Sequence, residues 1–135
     1  MLRPFDRPQI DLNGKVVLVT GGTGSFGRAF LRLVVDRCEP RKLIVFSRDE
    51  AKQHDMRFTW PDIKYPFLRY FLGDVRDRDR LDMAFRGVDV VVHAAALKHV
   101  PAAEYNPFEF ISTNVIGAEN VVQAAIRNRV GKVIA

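Results

Sequence analysis

The chain has 135 residues, of which 47% are hydrophobic, enough for one domain with a core of its own. One cysteine excludes a disulfide framework, and apolar runs no longer than a strand exclude a membrane span. The formal net charge of +5 is spread among acids, as in DVRDRDR at 74–80, so it reads as solvated helix faces rather than a nucleic-acid footprint.

The first fifteen residues hold no apolar signal-peptide core, and a reducing, cytoplasmic setting is the default expectation. Asn13-Gly14 marks a turn. The apolar run that follows predicts a first strand over 15–20, and the spacing of Phe26, Phe30 and Val34 predicts a helix over 25–36. Between them lies VTGGTGSFG, residues 19–27, with the strand, glycine-rich turn and helix of a dinucleotide-binding unit. Gly22 is expected to turn the chain sharply off the strand. Gly24, lacking a Cβ, would let a pyrophosphate approach the backbone, and Gly27 would let the helix pack closely. Free N–H groups and the dipole at the helix start would then hold phosphate charge. The cofactor-binding candidates here are Gly21, Gly22, Thr23, Gly24, Ser25, Phe26 and Gly27.

Cys38 falls near the end of this helix, beside Pro40, where its role is structural or incidental. The run KLIVF predicts a second strand over 42–46, buried on both faces. Its tip chooses between the nicotinamide cofactors. An acid there would bind the ribose 2′-hydroxyl of NAD, and an arginine the 2′-phosphate of NADP. The chain reads Ser47-Arg48-Asp49-Glu50, with Arg48 offering a forked donor set and Asp49 suited to capping a helix over 49–58. The reading leans to NADP, against the alternative that Arg48 is a surface residue. Trp60, Pro61 and Pro66 mark an irregular stretch before a third strand over 68–72.

Asp74 follows that strand. It is either an acceptor for an adenine amino group, with Val75 beside it, or the cap of a helix over 77–85, a place that Asp77 fills equally well. A fourth strand is predicted over 88–94, ending in His93-Ala94-Ala95-Ala96, where small residues leave room for a cofactor. His93 and His99 have no carboxylate or thiolate company, so no metal is assigned. Lys98 lies in a loop above the strand ends, either meeting phosphate, ribose or substrate, or simply solvated. Asn106-Pro107-Phe108-Glu109 starts a helix running to about 128. Asn114 stands inside that helix, where an interior polar residue often has a bonding task. Tyr105 has no lysine four residues on, so it forms no Tyr-x-x-x-Lys pair. Gly131 precedes a fifth strand opening at 132–135, and the expectation is a sheet cut short there, the front part of a longer protein. Alternating strands and helices give an α/β, doubly wound parallel sheet of Rossmann type.

Together TGGTGSFG, FSRDEAKQ, GDVRDRDRL, HAAALKHVPAAEYNPFE and TNVIGAENV resemble the extended short-chain dehydrogenase/reductases. More narrowly they are similar to the inverting UDP-N-acetylglucosamine 4,6-dehydratases of bacterial surface-sugar and pseudaminic-acid synthesis. The resemblance runs from about Gly14 to Ala135. It implies tightly held NADP, recycled in each turnover, and a UDP-6-deoxy-4-keto-hexosamine product from UDP-N-acetylglucosamine. It also implies Thr23 to Phe26 at the pyrophosphate, and Ser47, Arg48, Asp49, Glu50 and Lys52 around the adenosine end. Asp74 and Val75 would meet adenine, Ala94 and Asn114 the nicotinamide side, and Lys98 both cofactor and substrate. The family's catalytic groups lie in a Ser/Thr-Asp-Lys segment and a Tyr-x-x-x-Lys pair, both expected beyond Ala135. The chain by itself is therefore expected to bind nucleotide without turnover. Full-length members of the family are commonly homo-oligomers. A UDP-sugar 4-epimerase and a non-catalytic NADP-binding module are the other readings.

Overall fold

The computed structural model describes residues 11–95 and 107–135, apart from the side chains of Phe110 and Ser112. The elements are β1 (Val16–Thr20), α1 (Ser25–Arg37), β2 (Lys42–Ser47), α2 (Glu50–Thr59), β3 (Leu68–Leu72), α3 (Arg78–Ala84) and β4 (Val90–His93). Then come α4 (Pro107–Ile111), a π-helical turn (Ser112–Ile116), α5 (Gly117–Arg127) and β5 (Lys132–Ile134). The five strands are parallel in the order β3-β2-β1-β4-β5. The order runs outward from β1 to β3, then restarts on the other side with β4. The doubly wound Rossmann-type sheet read from the sequence is the observed one, and its reversal lies between β1 and β4.

Strand periodicity of two divides the core. Val16, Leu18, Ile44, Phe46 and Val91 face Leu81, Phe85, Val121 and Ala124. Val17, Val19, Leu43, Val45 and Val92 face Leu31 and Val34 of α1, with Met56 and Trp60 beyond. Covering both faces suits continuous apolar strands, each such side chain contributing about 2 kcal/mol. Cys38 ends α1 and packs at the edge of the second cluster.

The bottom of the sheet is tied by one side chain. Asp89 accepts from Val16 N–H through Oδ2 at 2.8 Å, and its carbonyl accepts from Gly131 and Lys132 at 3.0 and 3.2 Å. It so fastens the starts of β1 and β5 to the start of β4. That use of Asp89 sets β4 to begin at Val90, two residues later than the apolar run suggested.

The expected single helix over 107–128 is interrupted by the π-turn at Ser112–Ile116, which contains Asn114. Such turns sit disproportionately at functional sites. Asp49 caps α2 through Lys52 N–H, as read from the sequence. For α3 the cap is Asp77, which accepts from Arg80 N–H, leaving Asp74 for another task.

Gly27 is buried where α1 meets the turn after β1, and a Cβ there would fall 2.3 Å from the carbonyl oxygen of Gly22. Backbone cannot retreat as a flexible side chain does. Replacing Gly27 by Ala is expected to cost about 3 kcal/mol, read as a lowered urea midpoint. An unchanged midpoint would mean that α1 is free to shift.

Candidate functional site

The turn after β1 assigns its glycines differently from the sequence reading. The left-handed residue is Gly21, with φ of 64°, rather than Gly22. A Cβ on Gly21 would also strike the Ala94–Ala95 backbone at 2.8–2.9 Å. Gly22 is instead a packing glycine, since its Cβ would lie 2.6 Å from Val45 Cγ1. Gly24 has room: the nearest atom to a Cβ there is Gly21 O at 3.4 Å. It is also the N-cap of α1, and neither a capping side chain nor a first-turn acid satisfies the helix start. A thirteen-residue helix thus presents uncapped N–H groups beside open space, which suits an anion.

That space is a cavity of about 360 Å³ above the strand ends, at the reversal between β1 and β4. Twelve of the predicted residues line it. Gly21, Thr23, Gly24, Ser25 and Phe26 come from the turn, and Ser47, Arg48, Asp49 and Lys52 from the β2–α2 junction. Asp74 and Val75 follow β3, and Ala94 follows β4. Gly22 and Gly27 stand behind this lining as supports. Glu50 does not reach it: helix α2 turns it to a separate groove with His54, Arg57 and Tyr70. Asn114 is half-buried nearby but does not line the cavity; its neighbour Thr113 does. Lys98, His99 and Tyr105 lie outside the described residues.

Side-chain bonds fix the lining. Thr23 and Ser47 share a buried hydroxyl–hydroxyl bond of 2.8 Å, and Ser47 Oγ also accepts from Asp49 N–H. Gln53 donates to the carbonyls of Ser47 and Phe71, holding the tips of β2 and β3 together. Asp49 Oδ1 caps α2, and the cationic groups Arg48 and Lys52 face the cavity beside it.

Asp74 is gripped by Arg76. The guanidinium reaches both carboxylate oxygens, with Nη2 at 2.7 Å from Oδ2, and Arg76 N–H adds a bond to Oδ1. Arg48 Nη1 stands 3.9 Å from Oδ2. Burial on its own would raise the Asp74 carboxyl, but these bonds and the two positive charges outweigh it and hold the group below the ordinary carboxylate range. Arg76 also reaches Glu109 at 2.7 Å, linking this loop to α4, while Asn120 of α5 donates to the carbonyls of Val75 and Arg76.

Sequence reasoning missed Phe46, Gly73 and Thr113 in the lining, while Ala95 joins it as one of the small residues expected after His93. Phe46 and Gly73 read as strand core and turn. A Cβ at Gly73 would meet the Phe46 ring at 2.7 Å, so the two form one close contact. Thr113 carried a usable signal, since Ser112-Thr113-Asn114 is a polar run between Ile111 and Val115. It is 5% exposed, and among the described residues its hydroxyl has no hydrogen-bond partner. A buried hydroxyl left open at a cavity wall suits a polar ligand.

Among the described residues no three His, Cys, Asp or Glu side chains gather in a metal-binding group, and no helix is long and apolar enough to cross a membrane.

Residues 17–135 match the family described as polysaccharide biosynthesis protein. The chain is 52% identical, over 91% of its length and 36% of the relative's, to a UDP-N-acetylglucosamine 4,6-dehydratase (inverting) of Campylobacter jejuni. It is 49% identical, over 89% of its length and 35% of the relative's, to a UDP-glucose 4-epimerase of Rickettsia canadensis. The structure of Pen from Bacillus thuringiensis is similar with a TM-score of 0.87 and 42% identity, over 92% of this chain and 38% of that one. The dTDP-glucose 4,6-dehydratase DesIV of Streptomyces venezuelae, solved with NAD bound, follows at TM-score 0.74 and 32% identity, over 87% and 37% of the two chains. The chain thus spans just over a third of the relatives it matches.

Gly24→Ala separates site from scaffold. Its Cβ has space in the fold, so the urea midpoint should stay, while dinucleotide affinity falls about tenfold because the methyl occupies the approach to the α1 N-terminus. Calorimetric titration with the dinucleotide reads this; unchanged affinity would move the ligand's phosphates elsewhere.

Proposed function

Because this chain belongs to the polysaccharide biosynthesis protein family, among the extended short-chain dehydrogenase/reductases, we propose that it is the dinucleotide-binding part of a nucleotide-sugar 4,6-dehydratase. The substrate in this reading is UDP-N-acetylglucosamine, dehydrated with inversion at C5, as in pseudaminic-acid and related surface-glycan synthesis. The bound cofactor is NADP, whose nicotinamide takes up and returns one hydride in each turnover. The catalytic side chains belong to segments beyond Ala135, and the full-length enzyme is a homo-oligomer. Exposed apolar side chains along α4 and α5, among them Phe108, Ile111 and Val122, offer surface for such assembly.

One observation carries the cofactor reading. Arg48 and Lys52 face the cavity at the tip of β2, where Asp49 gives one carboxylate oxygen to the cap of α2 and Arg48 stands 3.9 Å from Asp74. A 2′-phosphate would find two cations there, where a ribose diol would find the Asp49 oxygen that the cap leaves over. The uncapped start of α1 takes the pyrophosphate, and the open Thr113 hydroxyl supplies a polar contact at the other side. Asp74 and the Val75 backbone form the adenine wall.

Relatives of about half identity carry two names, and UDP-sugar 4-epimerisation is the second reading. Both readings begin with oxidation at C4 by a nicotinamide dinucleotide, and they part at the next step. Full-length protein incubated with UDP-N-acetylglucosamine and followed by NMR separates them: a 4-keto-6-deoxy sugar supports dehydration, and the 4-epimer with an intact C6 hydroxyl supports epimerisation. The cofactor reading is tested on its own. Arg48→Ala should weaken NADP about tenfold while changing NAD by less than about twofold, measured by calorimetry. Equal losses for both would overturn the 2′-phosphate assignment.

A further inference from the structure

Three polar atoms converge on one hydroxyl at the reversal of the sheet. Thr20 Oγ1 lies 3.1 Å from Ala94 N, 3.3 Å from Ala95 N and 2.7 Å from His93 Nδ1. The Ala94 N–H is shared with the carbonyl of Thr20 itself at 3.2 Å. A hydroxyl has two lone pairs and one proton. Backbone amides only donate, so the two alanines occupy the lone pairs. The hydroxyl proton is then left for His93, whose Nδ1 must accept it. The ring is neutral, with its own proton on Nε2.

The surroundings favour that state. Thr20 is fully buried, and burial pushes His93 below the ordinary histidine value. The elements packed on β4 bring apolar groups: Val121 and Ala124 on one face, Leu31 and Val34 on the other. Ile134 of β5 pairs with Val92, and Thr20 of β1 pairs with His93 itself. Among the described residues Thr20 is the polar partner of this ring.

We propose that His93 is a positioning residue for the cofactor cavity. As the neutral Nε2–H form it takes the Thr20 proton, which leaves the Thr20 lone pairs to hold the amides of Ala94 and Ala95. Those residues wall the cavity, and Gly21 lies against their backbone with no space for a Cβ. A proton on Nδ1 would set three donors against one oxygen with two lone pairs, and an alanine amide would have to let go. The wall would then shift beside the ligand. The hydrogen-bond assignment needs no ligand; its effect on affinity rests on the dinucleotide reading above.

The first arm is ligand-free. Long-range ¹H–¹⁵N spectra of histidine-labelled chain should give His93 as the Nε2–H form near pH 7.5, titrating below the ordinary value of about 6.5. An Nδ1–H form, or ordinary titration, would overturn the proposal. The second arm measures NADP affinity. Thr20→Ser keeps the hydroxyl and should stay within about twofold, while Thr20→Val should lose about five- to tenfold. His93→Asn puts an amide oxygen in place of Nδ1 and cannot take up a proton. It should bind normally near pH 7.5 and, unlike the parent chain, hold that affinity as pH falls towards 5.5. Comparing the two chains cancels titration of the ligand's own phosphates. If His93→Asn is as weak as His93→Leu, or if parent and His93→Asn weaken alike with acid, His93 does not position the wall. If parent chain fails to bind NADP at all, the dinucleotide reading fails, and the spectra still decide the tautomer.

Discussion

At the end of β1 the turn is pressed against three neighbours, two of them backbone, with no room for a side chain of its own. The turn touches the Ala94–Ala95 backbone through Gly21, the β2 side chain Val45 through Gly22, and the start of α1 through Gly27. Each contact is closer than a methyl group allows, so the path of residues 20–27 is over-determined. Everything at the site follows from it. Helix α1 must begin where it does, its N–H groups must face the space above the sheet, and Gly24 must border that space. Three glycines thus act as a jig in which position matters more than flexibility.

Around this jig the lining is held by polar ties rather than by bulk. Thr23 joins Ser47, Gln53 joins β2 to β3, Arg76 joins Asp74 to Glu109, and Asn120 joins the loop after β3 to α5. Each tie links a different pair of elements, so the wall stays put without a side chain plugging the cavity. The cost is that few polar groups remain for a ligand. Among the described residues Arg48 and Lys52 at the β2–α2 junction, the Thr113 hydroxyl and the start of α1 offer such groups from three parts of the lining.

Much of this was legible in the sequence because it is written in local patterns. Apolar runs of four to six residues and helical spacing set the order of the elements, and VTGGTGSFG marked the turn. Asp49 as a cap was readable from its place before a helix. Residue roles that depend on contacts between distant segments were less readable. Whether Gly21 or Gly22 takes the left-handed backbone depends on how near β4 lies. Glu50 follows four cavity residues in sequence, yet the first turn of α2 rotates it away. Thr113 rather than Asn114 takes the inward position, in step with the buried Gly117 and Val121 of α5, a phase that the polar character of Asn114 obscured. Asp74 looked equally like a cap or a ligand group until Asp77 took the cap and Arg76 took Asp74.

Asp89 stands at the other end of the sheet, where one carboxylate and one carbonyl tie the starts of three strands. Strand register is stored there, away from every residue that faces the cavity. The loops above the strand ends are then free to drift in composition without unthreading the sheet beneath them. Such a division of labour lets side chains at one end of the sheet be exchanged while the pairing fixed at the other end persists.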